Sequence, residues 1–147
     1  MTSIYALVGC LLLLCQCKQR AVEPPPAIAA LVGTWTLMQP DSAASTTLSF
    51  SLDTANPPHD IVSFYVQGKG LQHPYKGRMY ATVDGTMQIQ ELTQTASADS
   101  GLTSLQIDRL YLTKLGSTAR FNQLSDGTLQ LYFGSPSSGI LSYKKGR

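Results

Sequence analysis

Residues 67 to 80 read Q-G-K-G-L-Q-H-P-Y-K-G-R-M-Y and gather the side chains best suited to chemistry. Gly68, Gly70 and Gly77 stand beside the cations Lys69, Lys76 and Arg78, with His73, Tyr75 and Tyr80 between them. Glycines next to a lysine suggest a backbone cradle for phosphate. The phosphate-binding loop, however, needs G-x-x-x-x-G-K-[ST] opening a helix after a strand. Here Pro74 and an alternating run follow, so no nucleotide site is expected. His59 and His73 each lack a second ligand at a spacing such as H-x-x-x-H, which argues against a metal site. No G-x-S-x-G elbow is present to expose a nucleophilic serine. The few carboxylates, among them Asp53, Asp60, Asp84, Glu91, Asp99 and Asp108, read as turn and surface residues. The expectation is therefore no catalytic, cofactor-binding or metal-ligating residue, and no enzyme. The glycines would relieve strain at a bulge or sheet bend between two strands. Tyr75 and Tyr80 would pack with their hydroxyls near solvent. Lys69, Lys76 and Arg78 would offer a surface contact to a partner.

The chain that must position these residues has 147 residues, 43% hydrophobic and 14% charged, enough to bury one core. Its net charge of +2 is spread along the chain without a Lys/Arg run, which gives no footprint for nucleic acid. The three cysteines, Cys10, Cys15 and Cys17, lie near the N-terminus, so the remainder can form neither a disulfide nor a thiolate zinc site.

Residues 4 to 17, I-Y-A-L-V-G-C-L-L-L-L-C-Q-C, are too short to span a bilayer, which takes about 20 residues. They match the apolar region of a secretory signal, and we assign residues 1–17 to it. A lipidated cysteine at its end would anchor the protein to a membrane surface. Position favours Cys17 and the preceding L-V-G favours Cys10; Cys15 is the third candidate. Residues 18–30 read as a tether in which Pro24, Pro25 and Pro26 favour polyproline II and cannot continue a helix. The folded domain is placed at residues 31–147, exported and membrane-anchored, with the membrane surface or proteins beside it as its partners.

From Leu31 the chain alternates. Strands are expected over 31–38, with Leu31, Gly33, Trp35 and Leu37 on one side, over 46–52, 61–67 and 78–83, and again after each turn. Asp84-Gly85 and Asp126-Gly127 between alternating runs are hairpin signals. Residues 104–115, S-L-Q-I-D-R-L-Y-L-T-K-L, favour a helix with Leu105, Tyr111, Leu112 and Leu115 near one face and Gly116 as its stop. The fold class is α+β and mainly β: an antiparallel, barrel-like, half-open sheet of about eight short strands with one late helix.

The order of motifs resembles the META domain of the HslJ-like heat-shock lipoproteins of bacterial envelopes. The resemblance rests on Gly33-Thr34-Trp35, Leu48-Ser49-Phe50, Gly68-Lys69-Gly70, Tyr75 to Tyr80, Thr93-Gln94-Thr95, Asp108 to Tyr111 and Gly127 to Tyr132. It covers residues 31 to 145. Gly33, Trp35, Gly68, Gly70, Tyr75, Gly77, Tyr80 and Thr95 form its structural signature. The paired cysteines of many members are absent here, and the helix acid, often Glu, is Asp108. The resemblance implies the bacterial cell envelope as the location, envelope proteins as partners, no cofactor and no reaction, and a role in envelope stress tolerance through binding. The alternative is a lipocalin-like barrel for a small apolar ligand, with Trp35 at one end. That reading predicts a pocket of about 300 Å3 or more lined by Trp35, Phe50, Phe64 and Leu131.

Overall fold

The structure, a computed structural model, describes residues 23–39, 46–56, 58–95 and 102–146. Along the chain run β1 (Gly33–Gln39), β2 (Thr47–Leu52), β3 (Ile61–Lys69), β4 (Pro74–Thr82), β5 (Met87–Gln94), β6 (Thr118–Gln123), β7 (Thr128–Phe133) and β8 (Gly139–Lys145). A one-turn helix, α1 (Pro26–Ala29), precedes them, and α2 (Leu102–Gly116) joins β5 to β6. The strands make one 8-stranded antiparallel sheet in the order β5-β4-β3-β2-β1-β8-β7-β6.

The strands form where apolar and polar residues alternate. Leu48 and Phe50 of β2 face the core, as do Val62, Phe64 and Val66 of β3 and Leu129 and Leu131 of β7. Both Asp-Gly turns fall where expected. Gly85 at φ 83° and Gly127 at φ 79° occupy the left-handed region, which glycine enters without a Cβ clash. Asp84 Oδ1 accepts from the Thr86 N–H at 3.0 Å, and Asp126 Oδ1 from the Thr128 N–H at 2.9 Å.

Strand β1 lies in the middle of the sheet. The chain therefore winds outward from it to β5, crosses by α2, and returns through β6 and β7 to lay β8 against β1. The two end strands approach at one corner, where Thr86 bridges Arg120 and the Phe121 N–H donates to Gly85 O at 2.9 Å. Helix α2 packs on β5 and β7 where this seam is open. The barrel is nearly closed and its interior is filled. Phe50 and Phe64 meet edge-on at 6.3 Å, and Trp35, Met79, Leu115, Leu131, Leu141 and Tyr143 complete the packing. The residues expected to line a ligand cavity, Trp35, Phe50, Phe64 and Leu131, are thus the core itself. Large apolar side chains on both walls of a small barrel leave no room between them.

Three local readings are corrected. Pro26 opens α1, because a proline at the first helical position loses no intrahelical hydrogen bond. Ile28 of that turn is buried in the core, so the end of the stretch read as tether packs on the domain. The bend expected across residues 67–80 is confined to residues 70–73, since β3 runs on to Lys69 and β4 starts at Pro74. On α2 the deeply buried positions are Asp108 and Leu115, with Tyr111 and Leu112 packed alongside, while Ile107 is exposed. The side chain of Leu105 lies outside the described ones, as do residues 1–22 with Cys10, Cys15 and Cys17. Among the described residues no helix is long and apolar enough to cross a membrane.

Candidate functional site: a turn, a tyrosine chain and an outer concavity

The turn between β3 and β4 is built around one carboxylate. The N–H groups of Leu71, Gln72 and His73 converge on Asp108, with Leu71 N 2.6 Å from Oδ1 and His73 N 2.9 Å from Oδ2. His73 Nδ1 lies 2.8 Å from Oδ2, and Gln94 Nε2 donates to the same oxygen at 3.3 Å. Asp108 is 1% exposed and His73 5%. The glycine-rich stretch is therefore an anion-binding backbone nest, but its anion comes from α2 of the same chain. The expectation that Asp108 is a turn or surface residue is overturned by its burial and by this pairing. A carboxylate on the buried helix face must find donors, because leaving it unpaired away from water is costly. Its place was legible in part: Asp108 precedes Tyr111, Leu112 and Leu115 by three, four and seven residues, which puts it on the apolar stripe.

The signature glycines now have separate reasons. A Cβ on Gly70 would strike Asp108 Oδ1, and one on Gly68 would strike Thr47 O and come within 2.6 Å of the Tyr75 hydroxyl. Gly77 sits at the bulge between Lys76 and Arg78, where a Cβ would stand 2.9 Å from Gln90 O. Of these three, Gly77 alone fits the expected role at a bulge. Gly68 and Gly70 instead make room for polar groups from other elements.

Beside the nest runs a chain of phenols. The Tyr75 hydroxyl donates to Thr47 O at 2.8 Å and lies 3.1 Å from that of Tyr111, which lies 3.1 Å from that of Tyr143. The Tyr75 and Tyr111 rings meet edge-on at 5.8 Å. Tyr75 is buried, not directed to solvent as expected, because β4 begins early and turns residue 75 inward. Burial first, then the charge of another phenol of the chain (Tyr111 for Tyr75, Tyr143 for Tyr111, Tyr75 for Tyr143), pushes all three hydroxyls well above the ordinary tyrosine range. They tie β2, β4, α2 and β8 together and are neutral. Of the other signature positions, Gly33 adopts φ 126° beside Lys145, and Trp35 Nε1 donates to Leu31 O at 2.8 Å with Lys145 Nζ 5.3 Å from its ring. Tyr80 is half-buried on the outer face, and the Thr95 N–H donates to Pro74 O at 3.0 Å.

The outer face of β2 to β5 carries a different feature, an open concavity of about 630 Å3. Register places Ser51, Tyr65 and Arg78 in one cross-strand row and Gln67, Lys76 and Thr93 in the next. Tyr65 is 45% exposed. The Arg78 guanidinium stands 5.1 Å from its ring centroid, and its hydroxyl donates to Asp53 Oδ1 at 3.3 Å. Arg78 also pairs with Asp53, whose carboxyl is held below its ordinary range by the Asn56 amide first, then by Ala55 N–H, Arg78 and Tyr65 against the opposing effect of burial. Asp53, like Asp108, is thus buried where a surface role was expected. Glu91 reaches the rim from φ 55°, a left-handed conformation for a non-glycine residue, at the bulge facing Gly77. Lys76 and Arg78 of the expected contact lie here. Lys69 is exposed further along β3 and does not line the concavity.

Two further concavities are open to solvent. One, about 550 Å3, lies by Asp84, Arg120, Asn122 and Tyr132. The other, about 400 Å3, lies between β5 and α2. Among the described residues no three His, Cys, Asp or Glu side chains are grouped to hold a metal ion.

The chain matches no protein-family model and no curated protein. It is similar to a solved structure described as "NMR structure of the protein from Burkholderia xenovorans", at 21% identity and a TM-score of 0.56. The match covers 86% of this chain and 93% of that one. At that identity the likeness speaks for the fold.

Proposed function

We propose that this protein is a non-enzymatic binding domain of the META, HslJ-like type, exported to the bacterial envelope and anchored there by lipid on Cys17, Cys10 or Cys15. The observation that supports binding over chemistry is the division of its polar groups. Those in the interior, Asp108, His73, Tyr75, Tyr111 and Tyr143, are bonded to one another and hold the barrel and α2 together. Those outside, around Lys76 and Arg78, line a concavity open to solvent. A ligand therefore meets this domain on its sheet face. The META reading is supported by the signature residues having definite tasks, since Gly68, Gly70, Gly77 and Tyr75 each stand at a close approach or a bulge.

Capture from intact envelopes by chemical cross-linking tests this reading. The wild-type protein is expected to hold a partner that the Lys69→Glu, Lys76→Glu double variant loses, both proteins being equally folded by circular dichroism. Equal capture by both would remove the sheet face as the binding surface. Mass spectrometry of the membrane-bound protein tests the anchor. A diacylglyceryl cysteine at the mature N-terminus is expected, and an unmodified terminus beyond Cys17 would overturn it.

A further inference from the structure

We propose that the concavity on β2 to β5 binds an uncharged glycan, with Tyr65 as the platform on which a sugar ring stacks. This rests on the reading of that face as the binding surface, and it names the ligand class.

Charge comes first. Lys76 and Arg78 lie near the acids Glu91 and Asp53, and Arg78 is already paired with Asp53. The lining is thus close to neutral. A phosphate or carboxylate polymer would find one uncommitted cation opposed by Glu91, and would gain little. A neutral ligand loses nothing to that balance.

Tyr65 supplies the second argument. An aromatic ring nearly half exposed on a sheet face is available for stacking, and this one is held still. The Arg78 guanidinium lies over the ring, and Asp53 accepts a hydrogen bond from the hydroxyl. A ring immobilised before binding costs less entropy when a ligand stacks on it. The C–H face of a pyranose offers the flat, weakly polar surface that such a ring takes.

Beside the ring stands an array of polar side chains. Gln67 and Lys76 are cross-strand partners, and Thr93 continues the row, so side chains carrying an amide, an ammonium and a hydroxyl rise from neighbouring strands about 5 Å apart. Ser51 and Glu91 bracket them. This mixture of donors and acceptors suits a ligand whose every ring carries hydroxyls that both give and take hydrogen bonds. The left-handed Glu91 is a strained residue at the rim, and such strain persists where surrounding structure over-determines it. Glu91 and Leu92 are the two β5 residues that stand opposite Gly77 at the register shift. The volume of about 630 Å3, open along the sheet, accommodates a few linked sugars.

Titration of the 15N-labelled protein with chitotetraose, cellotetraose and maltotetraose, followed by NMR, tests the proposal. An acidic hyaluronan tetrasaccharide serves as the charged probe. At least one neutral probe is expected to give saturable shifts centred on Gln67, Lys76 and Thr93. Tyr65→Ala is expected to abolish them, and Tyr65→Phe, which keeps the ring, to retain affinity within about threefold. Because Tyr65→Ala also disturbs Arg78, the exposed Gln67→Ala is the second variant, with an expected loss of about tenfold. No saturable shift with any neutral probe to about 10 mM, unchanged binding in both Tyr65→Ala and Gln67→Ala, or binding of the acidic probe alone would each overturn the proposal. If the neutral probes fail while Lys69→Glu, Lys76→Glu still loses its envelope partner, the glycan is wrong and the binding face stands. If neither effect is seen, both fall.

Discussion

The carboxylate of Asp108 occupies the space that a side chain on residue 70 would need: a Cβ built on Gly70 would overlap Asp108 Oδ1. Helix α2 can dock on the β3–β4 turn only because residue 70 has no side chain. Gly70→Ala is therefore expected to destabilise the fold by about 2–3 kcal/mol, the cost of forcing a buried, fully bonded group to move. Gly134→Ala is the control, since a Cβ there would meet nothing within 4 Å and its backbone is not left-handed. It should change stability by less than about 0.5 kcal/mol in urea denaturation. Equal effects of the two would show that the close approach is not what demands glycine.

Removing the carboxylate should cost more than removing an ordinary acceptor. Asp108→Ala leaves the buried amide of His73 and the part-buried amides of Leu71 and Gln72 without their acceptor. A loss of about 2–3 kcal/mol is expected, from donors left unsatisfied rather than from lost packing. Amide hydrogen exchange should speed up first at residues 71–73. A loss below about 1 kcal/mol would mean that water replaces the carboxylate without penalty.

Alkaline pH should unfold the protein steeply. Tyr75, Tyr111 and Tyr143 keep their protons in the fold well above the ordinary value of 10, while the unfolded chain releases them there. The unfolded state then binds fewer protons, so this stability is whole below about pH 10 and declines as pH rises. The slope is about 1.4 kcal/mol per pH unit for each proton, or about 4 kcal/mol for all three. Phenolate absorbance should show three fewer ionised tyrosines before alkaline unfolding than after it. Tyr111→Phe should lower the slope by one proton. Stability that does not fall as pH rises above about 10 would overturn the burial of this chain.

At acid pH the two hairpin aspartates should titrate late. The Thr82 hydroxyl first, then the Thr86 N–H, holds Asp84 at about 2; Lys144 first, then Thr128, holds Asp126 at about 2. Both values lie below the ordinary 3.8, so their contribution is present above about pH 3.8 and disappears as pH falls through 2. Carboxyl 13C NMR reads each directly. Lys144→Met should move Asp126 toward its ordinary value and leave Asp84 in place, and a common shift of both would rule out these local causes.

Much of the fold was legible because it depends on local rules. Alternation in T-L-S-F-S-L and T-L-Q-L-Y-F places Leu48, Phe50, Leu129 and Leu131 on one face whatever surrounds them. Asp84-Gly85 and Asp126-Gly127 turn the chain because glycine alone enters the left-handed region freely. The late helix followed from its apolar spacing and from Gly116, where it ends.

What escaped were the polar pairings between residues distant along the chain. His73 lies 35 residues from Asp108, and Tyr75 lies 36 from Tyr111. No local pattern pairs them, because the contact exists only once α2 crosses the barrel seam. The same holds for Asp53 beneath Arg78 and for the early start of β4, which turns Tyr75 inward. Periodicity tells which way a side chain points relative to its own strand. Whether an inward group finds a cavity, a carboxylate or a packed ring is decided by the elements opposite it. For Q-G-K-G-L-Q-H-P-Y-K-G-R-M-Y, composition raised the question of an anion cradle and spacing ruled out the nucleotide kind. Only the tertiary structure supplied the anion, Asp108, and left the outer face of the same strands for a ligand.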